Sequence, residues 1–199
     1  MSAEQEAKFQ VHDCRIVEYC LRTVGQLHTP WHFERNALYD RGQELRSRKH
    51  ILRLRITDSA ILTFKEPMPG PGVPGVKAMR EIECQIHDPR DMHLILRSLG
   101  FERYVRYEKF RSVWNLDAAR IYLDIVPLGH FVEIEAEPEC IGPTALALGL
   151  DPGQASSASY LDLHQERLHA QGLTPDQDMI FDDNDKHEWA RVLGCAPEN

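Results

Sequence analysis

The chain has 199 residues with a hydrophobic fraction of 42%, enough to bury one core, and its formal net charge is −8. No apolar run approaches the roughly 20 residues that a helix needs to cross a bilayer, so we expect no membrane partner. The negative charge argues against general nucleic-acid binding, which depends on a basic surface. The acidic N-terminus does not resemble a secretory signal, and five scattered cysteines suit a reducing compartment, so a cytoplasmic location is expected.

Several segments alternate apolar and polar residues with the period of two that is typical of β-strands. The predicted strands are residues 4–11, 51–57, 61–65, 80–86, 104–114, 120–126 and 131–137, with residues 31–39 as a weaker candidate. Because many of these segments are close neighbours in the chain, about eight strands in an antiparallel sheet or barrel are expected.

Helical patterns lie between and after the strands. Residues 13–24 and 89–99 each carry an apolar stripe, with Asp13 and Asp88 as N-caps and a glycine at the end. Three further helices are predicted over residues 143–150, 157–171 and 185–194. We therefore divide the chain into a domain over residues 1–170 and a partly helical extension over residues 171–199 that packs on the same domain.

Each predicted strand has one charged face and one apolar face, because successive side chains of a strand point to opposite sides. The signs segregate, with glutamates on some strands and Arg or Lys on others. The charged positions are Glu4, Glu6, Lys8, Arg53, Arg55, Lys65, Glu81, Glu83, Lys109, Arg111, Asp124, Glu133 and Glu135. A merely solvated face, which is the alternative, would include more Ser, Thr, Asn and Gln. The pattern therefore favours a functional face.

The chemistry of this face suits a small polyanion. Its Arg side chains can bind phosphate oxygens bidentately and its Lys side chains add point charges, which matches a triphosphate. Its carboxylates cannot bind phosphate directly, but they can hold Mg²⁺ or Mn²⁺ that bridges to it. So many charges facing inward are costly unless they pair with one another, with metal and with ligand. We therefore expect the charged face inside a closed sheet and the apolar face outside, under the helices.

The same residues resemble the CYTH superfamily, the triphosphate tunnel metalloenzymes, whose E-x-E-x-K signature matches Glu4-Gln5-Glu6-Ala7-Lys8. Further blocks follow in order, namely LRLR at 52–55, LTFK at 62–65, REIE at 80–83, KFR at 109–111, LD at 123–124 and LGHFVEIE at 128–135. The order and phrasing of these blocks are most similar to the class IV adenylyl cyclase branch. The resemblance implies an α+β fold built on a closed eight-stranded antiparallel β-barrel, a tunnel with a charged interior and helices packed outside. It also implies Mg²⁺ or Mn²⁺ as cofactor and, as in many members, a homodimer.

The resemblance further implies roles for individual residues. The metal ligands would be Glu4, Glu6, Glu83, Glu133 and Glu135, with Glu6 and Glu135 foremost. The triphosphate would be bound by Lys8, Arg53, Arg55, Lys65, Lys109 and Arg111. In a cyclase, Asp124 would help to deprotonate the ribose 3′-hydroxyl, and in a triphosphatase Lys8 would serve as a base toward water.

Three functions of different classes stay open at this point. The leading one is a class IV adenylyl cyclase that converts ATP to cyclic AMP and pyrophosphate. The second is a triphosphatase that hydrolyses inorganic triphosphate, thiamine triphosphate or a nucleoside triphosphate. The third, a non-catalytic binder of polyphosphate or nucleotide, leaves the carboxylates without a purpose. A cyclase needs a pocket for the base, and no motif identifies one.

Overall fold

The computed structural model describes residues 2–70, 72–174 and 177–196, with side chains from Glu4 onward. These residues form eight β-strands and five α-helices, which confirms the predicted α+β class. The strands are β1 Ser2–Val11, β2 Gln26–Asp40, β3 Ile51–Ile56, β4 Ala60–Pro67, β5 Lys77–Ile86, β6 Glu102–Leu116, β7 Ala119–Val126 and β8 Gly129–Glu135. The helices are α1 Cys14–Val24, α2 Pro89–Ser98, α3 Pro138–Ala147, α4 Tyr160–Ala170 and α5 Asp183–Leu193.

All eight strands belong to one antiparallel sheet that closes into a ring in the order β1-β5-β4-β3-β2-β6-β7-β8. Strand β1 completes the ring, because its residues 2–6 pair with β5 and its residues 6–11 pair with β8. The predicted eight-stranded antiparallel arrangement is therefore confirmed. Because neighbouring strands alternate in direction, the β3–β4 turn and the β7–β8 turn lie at opposite ends of the ring.

The apolar face of the ring points outward and forms the main hydrophobic core together with helices. Phe9 of β1, Leu123 of β7 and Ile134 of β8 are at most 2% exposed and share this core with Leu21 of α1 and Ala190 of α5. Fully burying an apolar side chain of this size contributes about 1.5–3 kcal/mol, so the outer face is what holds the helices on the ring. The charged face is thereby left to line the interior, as expected.

The first two helices begin as predicted from their capping residues. The Asp13 carboxylate accepts a hydrogen bond from the backbone N–H of Arg15, and Asp88 accepts from Arg90 and Asp91. A side-chain oxygen in this position satisfies backbone N–H groups that have no partner within the helix. Helix α2 then packs through Leu96 on a second apolar cluster over the outer face of β3 and β4.

Two predicted boundaries were wrong by five residues. Helix α3 begins at Pro138 rather than 143, because a proline is tolerated in the first turn of a helix, and Pro143 is carried inside it. Strand β2 begins at Gln26 rather than 31. It continues through Pro30 because that residue lies at a register shift of the pairing with β6, where no ladder N–H is required. The other predicted bounds differ by at most three residues.

The described part of the chain contains no helix that is both long and apolar enough to cross a membrane. The division into a domain over residues 1–170 and an extension over residues 171–199 stays a prediction. Phe181 and Ala190, which belong to the predicted extension, lie in the main hydrophobic core.

Candidate active site

The charged positions predicted from strand alternation are brought together inside the ring, where they form a network of ion pairs. On one side of the ring, Lys65 contacts both Glu4 and Glu81, and Arg55 lies 3.3 Å from Glu83. On the other side, the network links Lys8, Lys109, Arg111, Asp124 and Glu133. Burial of so many ionised groups is tolerated because nearly every charge has an opposite partner.

Arg111 is the most extensively paired cation of the interior. Its Nε and Nη2 atoms donate to the two Asp124 oxygens at 2.7 and 2.5 Å, and Nη2 also donates to Glu133 at 2.5 Å. The Asp124 side chain is 0% exposed, and the hydroxyl of Tyr160 donates to its Oδ2 atom at 2.7 Å. A bidentate pair of this kind fixes the plane of the guanidinium group. Arg111 is therefore held in a fixed orientation inside the ring by Asp124 and Glu133.

Lys8 and Glu133 form a fully buried pair on the neighbouring strands β1 and β8. Burial would lower the pKa of Lys8, but the charges of Glu133 and Glu6 outweigh it, so the pKa of Lys8 is raised. Burial would raise the pKa of Glu133, and the charges of Lys8 and Arg111 instead hold that pKa well below its usual range. Both groups are therefore ionised at neutral pH, and Lys8 is a stable cation.

Glu4, Glu81 and Glu83 lie close together where β5 pairs with β1 and with β4. Burial raises the pKa of Glu81, Lys65 opposes that effect, and the charges of Glu4 and Glu83 add to it. Like charges that stand close together disfavour ionisation until a cation joins them. This part of the interior can accept additional positive charge.

Glu6 and Glu135 lie directly opposite each other on β1 and β8. Like charges in this cross-strand relation destabilise a sheet. Glu135 accepts a hydrogen bond from the Tyr122 hydroxyl at 2.6 Å, and Glu6 lies 3.7 Å from the Lys77 ammonium. Two opposed carboxylates are hard oxygen ligands of the type that Mg²⁺ and Mn²⁺ prefer. Glu6 and Glu135 therefore offer oxygen ligands to a divalent ion from neighbouring strands, and their assignment as its ligands stays a prediction.

Glu34 is an interior carboxylate that sequence reasoning missed. It is 3% exposed and lies between His32, whose Nε2 atom is 3.3 Å from Oε1, and Lys109, whose ammonium is 3.5 Å from Oε2. Burial would raise the pKa of Glu34, but Lys109 and the hydrogen bond with His32 hold it well below its usual range. Glu34 is therefore an ionised member of the interior network.

The ionisation of Glu34 predicts a pH-dependent contribution to stability. A carboxyl whose pKa is 4.5 when unfolded and lower when folded contributes fully above pH 4.5, and the contribution is lost as the pH falls through the folded pKa. We expect Glu34→Gln to lower the free energy of unfolding at pH 7 by about 1–3 kcal/mol, and the difference from wild type to shrink below pH 4.5. Urea unfolding at pH 7 and pH 4 measures it, with the exposed Glu139→Gln as control. A difference independent of pH would contradict the prediction.

Three tyrosines are further interior residues without a counterpart in the prediction. Tyr107 accepts from Arg53 at 3.3 Å, Tyr122 donates to Glu135, and Tyr160 donates to Asp124. Glu34 and Tyr107 share the alternation of the charged positions on β2 and β6, so parity could have found them. Tyr160 reaches the interior from α4, and strand parity carries no signal for it.

A separate group of candidate metal ligands consists of Asp13, Cys14 and His130, at the start of α1 and of β8. The Asp13 carboxylate is engaged by the Arg15 guanidinium at 2.6 Å, and burial raises the pKa of the Cys14 thiol. A neutral thiol is a poor ligand, because metals bind the thiolate. This group differs in chemistry from the all-carboxylate set inside the ring.

The fold and the interior together define the class of this protein. It is a protein with a closed antiparallel sheet whose inner surface carries paired cations and carboxylates. The model of the CYTH domain family matches residues 2–140, and the chain belongs to this family. The match extends from the first strand through the start of α3 and so contains every charged residue of the interior network.

Solved structures share the fold at low sequence identity. PH1819 protein from Pyrococcus horikoshii OT3 is 24% identical, with a TM-score of 0.70 over 82% of this chain and 99% of that one. A candidate adenylate cyclase from Vibrio parahaemolyticus is 19% identical, with a TM-score of 0.68 over 80% and 97%. HpAC1 from Hippeastrum, an adenylyl cyclase candidate described as having a dominant triphosphatase activity, is 18% identical, with a TM-score of 0.56 over 86% and 97%. No curated protein matches the chain. At these identities the likeness concerns the fold alone.

Proposed function

We propose that the ring interior is a substrate tunnel and that the chain is a divalent-metal-dependent enzyme acting on a triphosphate. The observation that carries the proposal is the pairing of two sets of charges on one inner surface. The cations suit phosphate oxygens, and the directly opposed Glu6 and Glu135 suit a divalent ion. Membership of the CYTH family supports an enzyme, since the related structures include proteins named for adenylate cyclase and triphosphatase activity.

The cations of the interior would bind the phosphate chain and stabilise the charge that develops on its oxygens. Arg111 and Lys109 hold fixed positions through Asp124, and Lys8 keeps its proton because its pKa is raised. Donors that are already oriented cost no reorganisation during the reaction, which is why such sites lower barriers. The opposite wall is lined by Arg53, Arg55 and Lys65, which would hold the other phosphate groups of the substrate.

Glu6 and Glu135 would hold the divalent ion, with Glu4, Glu83 and Glu133 as further candidates. A bound Mg²⁺ or Mn²⁺ would supply positive charge that neutralises phosphate oxygens and favours attack on phosphorus. In this structure the interior cations are neutralised by carboxylates, and a bound triphosphate would take over part of that role.

Two reactions fit this framework. In the cyclase reaction, the ribose 3′-hydroxyl of ATP attacks the α-phosphorus, its proton passes to a base, and the bond to the bridging oxygen breaks to release pyrophosphate. In hydrolysis, water attacks the terminal phosphorus and gives up a proton, and the bond to the bridging oxygen breaks to release orthophosphate and the shortened phosphate chain. The resemblance to the class IV branch supports the cyclase reaction as the first candidate.

One feature of the site favours hydrolysis as the second candidate. Both oxygens of Asp124, the base expected in a cyclase, already accept hydrogen bonds from Arg111, and Oδ2 also accepts from Tyr160. A carboxylate whose two oxygens already accept these hydrogen bonds has little acceptor capacity left for the proton of a ribose hydroxyl. The base role expected for Lys8 is likewise disfavoured by its raised pKa. Hydrolysis needs neither residue as a base if the water is activated beside the metal.

A product analysis tests the proposal and separates the two reactions. The protein is incubated with ATP, tripolyphosphate or thiamine triphosphate, each with Mg²⁺, Mn²⁺ or excess chelator. Cyclic AMP with pyrophosphate identifies the cyclase, and orthophosphate from any substrate identifies the triphosphatase. We expect metal-dependent turnover of at least one substrate and none with chelator. Absence of turnover under every condition would overturn the proposal of an enzyme.

A further inference from the structure

The C-terminal part of the chain covers one end of the ring by adding to two of its strands. Ser156 exchanges two backbone hydrogen bonds of 2.9 Å with Lys8, where β1 extends beyond its pairing with β5. Met179 exchanges backbone hydrogen bonds of 2.8 and 3.0 Å with Arg106 and Glu108, where β6 extends beyond its pairing with β7. Both additions lie at the end of the ring that carries the β7–β8 turn.

Tyr160, the first residue of α4, enters the interior between these two additions. Its hydroxyl donates to Asp124, and its ring centroid lies 4.2 Å from the Lys8 ammonium and 5.6 Å from that of Lys109. The aromatic rings of Tyr160 and Phe131 also meet in an edge contact, with centroids 5.2 Å apart. Tyr160 is only 7% exposed. An aromatic side chain therefore lies across the interior, held by a hydrogen bond and by cation–π contacts.

The exposure of interior charges falls from one end of the ring to the other. Near the β3–β4 turn, the side chains of Arg55 and Glu83 are 20% and 40% exposed. Near Tyr160, the side chains of Lys109 and Asp124 are 3% and 0% exposed. The interior charges near the β3–β4 turn are therefore more exposed than those near Tyr160.

We propose that Tyr160 is the floor of a blind tunnel and a specificity-determining residue, so that the site accepts only phosphate chains with one free terminal phosphoryl group. This inference rests on the proposed function. A chain entering from the open end would place its free end against the floor, beside Lys8, Lys109 and Arg111. A terminal phosphoryl group carries more negative charge than an internal one, which suits that cluster of cations. Any nucleoside attached to the other end would remain at the open end, and a chain substituted at both ends would not fit.

The test compares ligands that differ only at the chain end. Binding of ATP, tripolyphosphate, tetrapolyphosphate and diadenosine triphosphate is measured by calorimetry with Mn²⁺, beside turnover of each. We expect diadenosine triphosphate, which has a nucleoside at both ends, to bind the wild type at least about tenfold more weakly than ATP. Equal affinity for the two would overturn the inference.

Variants of the floor supply the second arm. Tyr160→Phe keeps the ring and is expected to keep the preference, whereas Tyr160→Ala deepens the tunnel and should raise the affinity for tetrapolyphosphate relative to tripolyphosphate at least about fivefold. Tyr19→Ala, the same change at a residue 78% exposed on α1, should leave this ratio unchanged. The ratio of the affinities for two ligands on one variant is independent of a general loss of stability. An unchanged ratio in Tyr160→Ala would contradict the role of Tyr160 as the floor.

The outcomes also separate this inference from the proposed function. End-selective binding without turnover would refute the proposed reaction and still support the floor, whereas failure to bind any of these phosphate chains would overturn both.

Discussion

Glu135→Ala is expected to lower metal-dependent turnover of the triphosphate substrate by about a thousandfold or more, while the ring stays folded. Glu135 stands directly opposite Glu6 across β1 and β8, so its removal leaves one carboxylate where two would hold the ion. The folded state should tolerate the change, because the substitution removes one of two opposed negative charges together with the hydrogen bond from Tyr122. Turnover is measured over a range of Mn²⁺ concentrations, beside the melting temperature.

A metal role predicts more than a loss of rate. The affinity for Mn²⁺, followed by electron paramagnetic resonance without substrate, should fall in Glu135→Ala, and high Mn²⁺ should restore part of the activity. Glu135→Gln keeps an acceptor for Tyr122 but loses the charge, so it should resemble the alanine variant if the charge matters. Glu139→Ala, an exposed glutamate on α3, controls for the loss of one carboxylate. Undiminished activity or unchanged Mn²⁺ affinity in Glu135→Ala would remove the metal assignment.

Strand alternation placed the predicted charged side chains on the interior face, because a period of two fixes the face of every residue in a strand once one face is known. Glu4, Glu6 and Lys8 of β1 illustrate this, since the register with β8 places Glu6 against Glu135 and Lys8 against Glu133. The alternation did not predict which interior side chains pair with each other. Glu133 is separated from Lys8 by 125 residues in the sequence, and alternation does not indicate which strands become neighbours in the sheet.

The parts of the site that were missed depend on packing between distant segments. Glu34 is buried against Lys109 of β6, and the sequence pattern of β2 does not indicate that β6 becomes its neighbour. Tyr160 begins a helix that is placed by contacts with the end of the ring, and its partner Asp124 is 36 residues away. Helical periodicity predicts the apolar side of α4, but it does not predict that its first residue enters the ring.

The second prediction with a large effect concerns Arg111, which holds Asp124 and Glu133 together. Replacing it with alanine leaves two buried carboxylates without their main cation, and breaking a buried charge network in this way costs about 3–5 kcal/mol. Under the proposed function the same change also removes an oriented donor to the phosphates, and the loss of one such donor lowers kcat about 100- to 1000-fold. We expect Arg111→Ala to be both destabilised and inactive, as measured by urea unfolding and by turnover at saturating metal.

Arg111→Lys separates these two consequences, because it keeps the positive charge and loses the planar fork that contacts both Asp124 oxygens. Most of the stability should return, since both carboxylates again face a cation, whereas activity should stay low if oriented N–H groups bind the phosphate chain. Arg90→Ala, an exposed arginine on α2, should change neither property. Recovery of stability and activity together in Arg111→Lys would show that charge alone is needed at this position. Recovery of stability without activity would show that the bidentate geometry imposed by Asp124 serves the phosphate, and it would explain why the tunnel buries a carboxylate among its phosphate-binding cations.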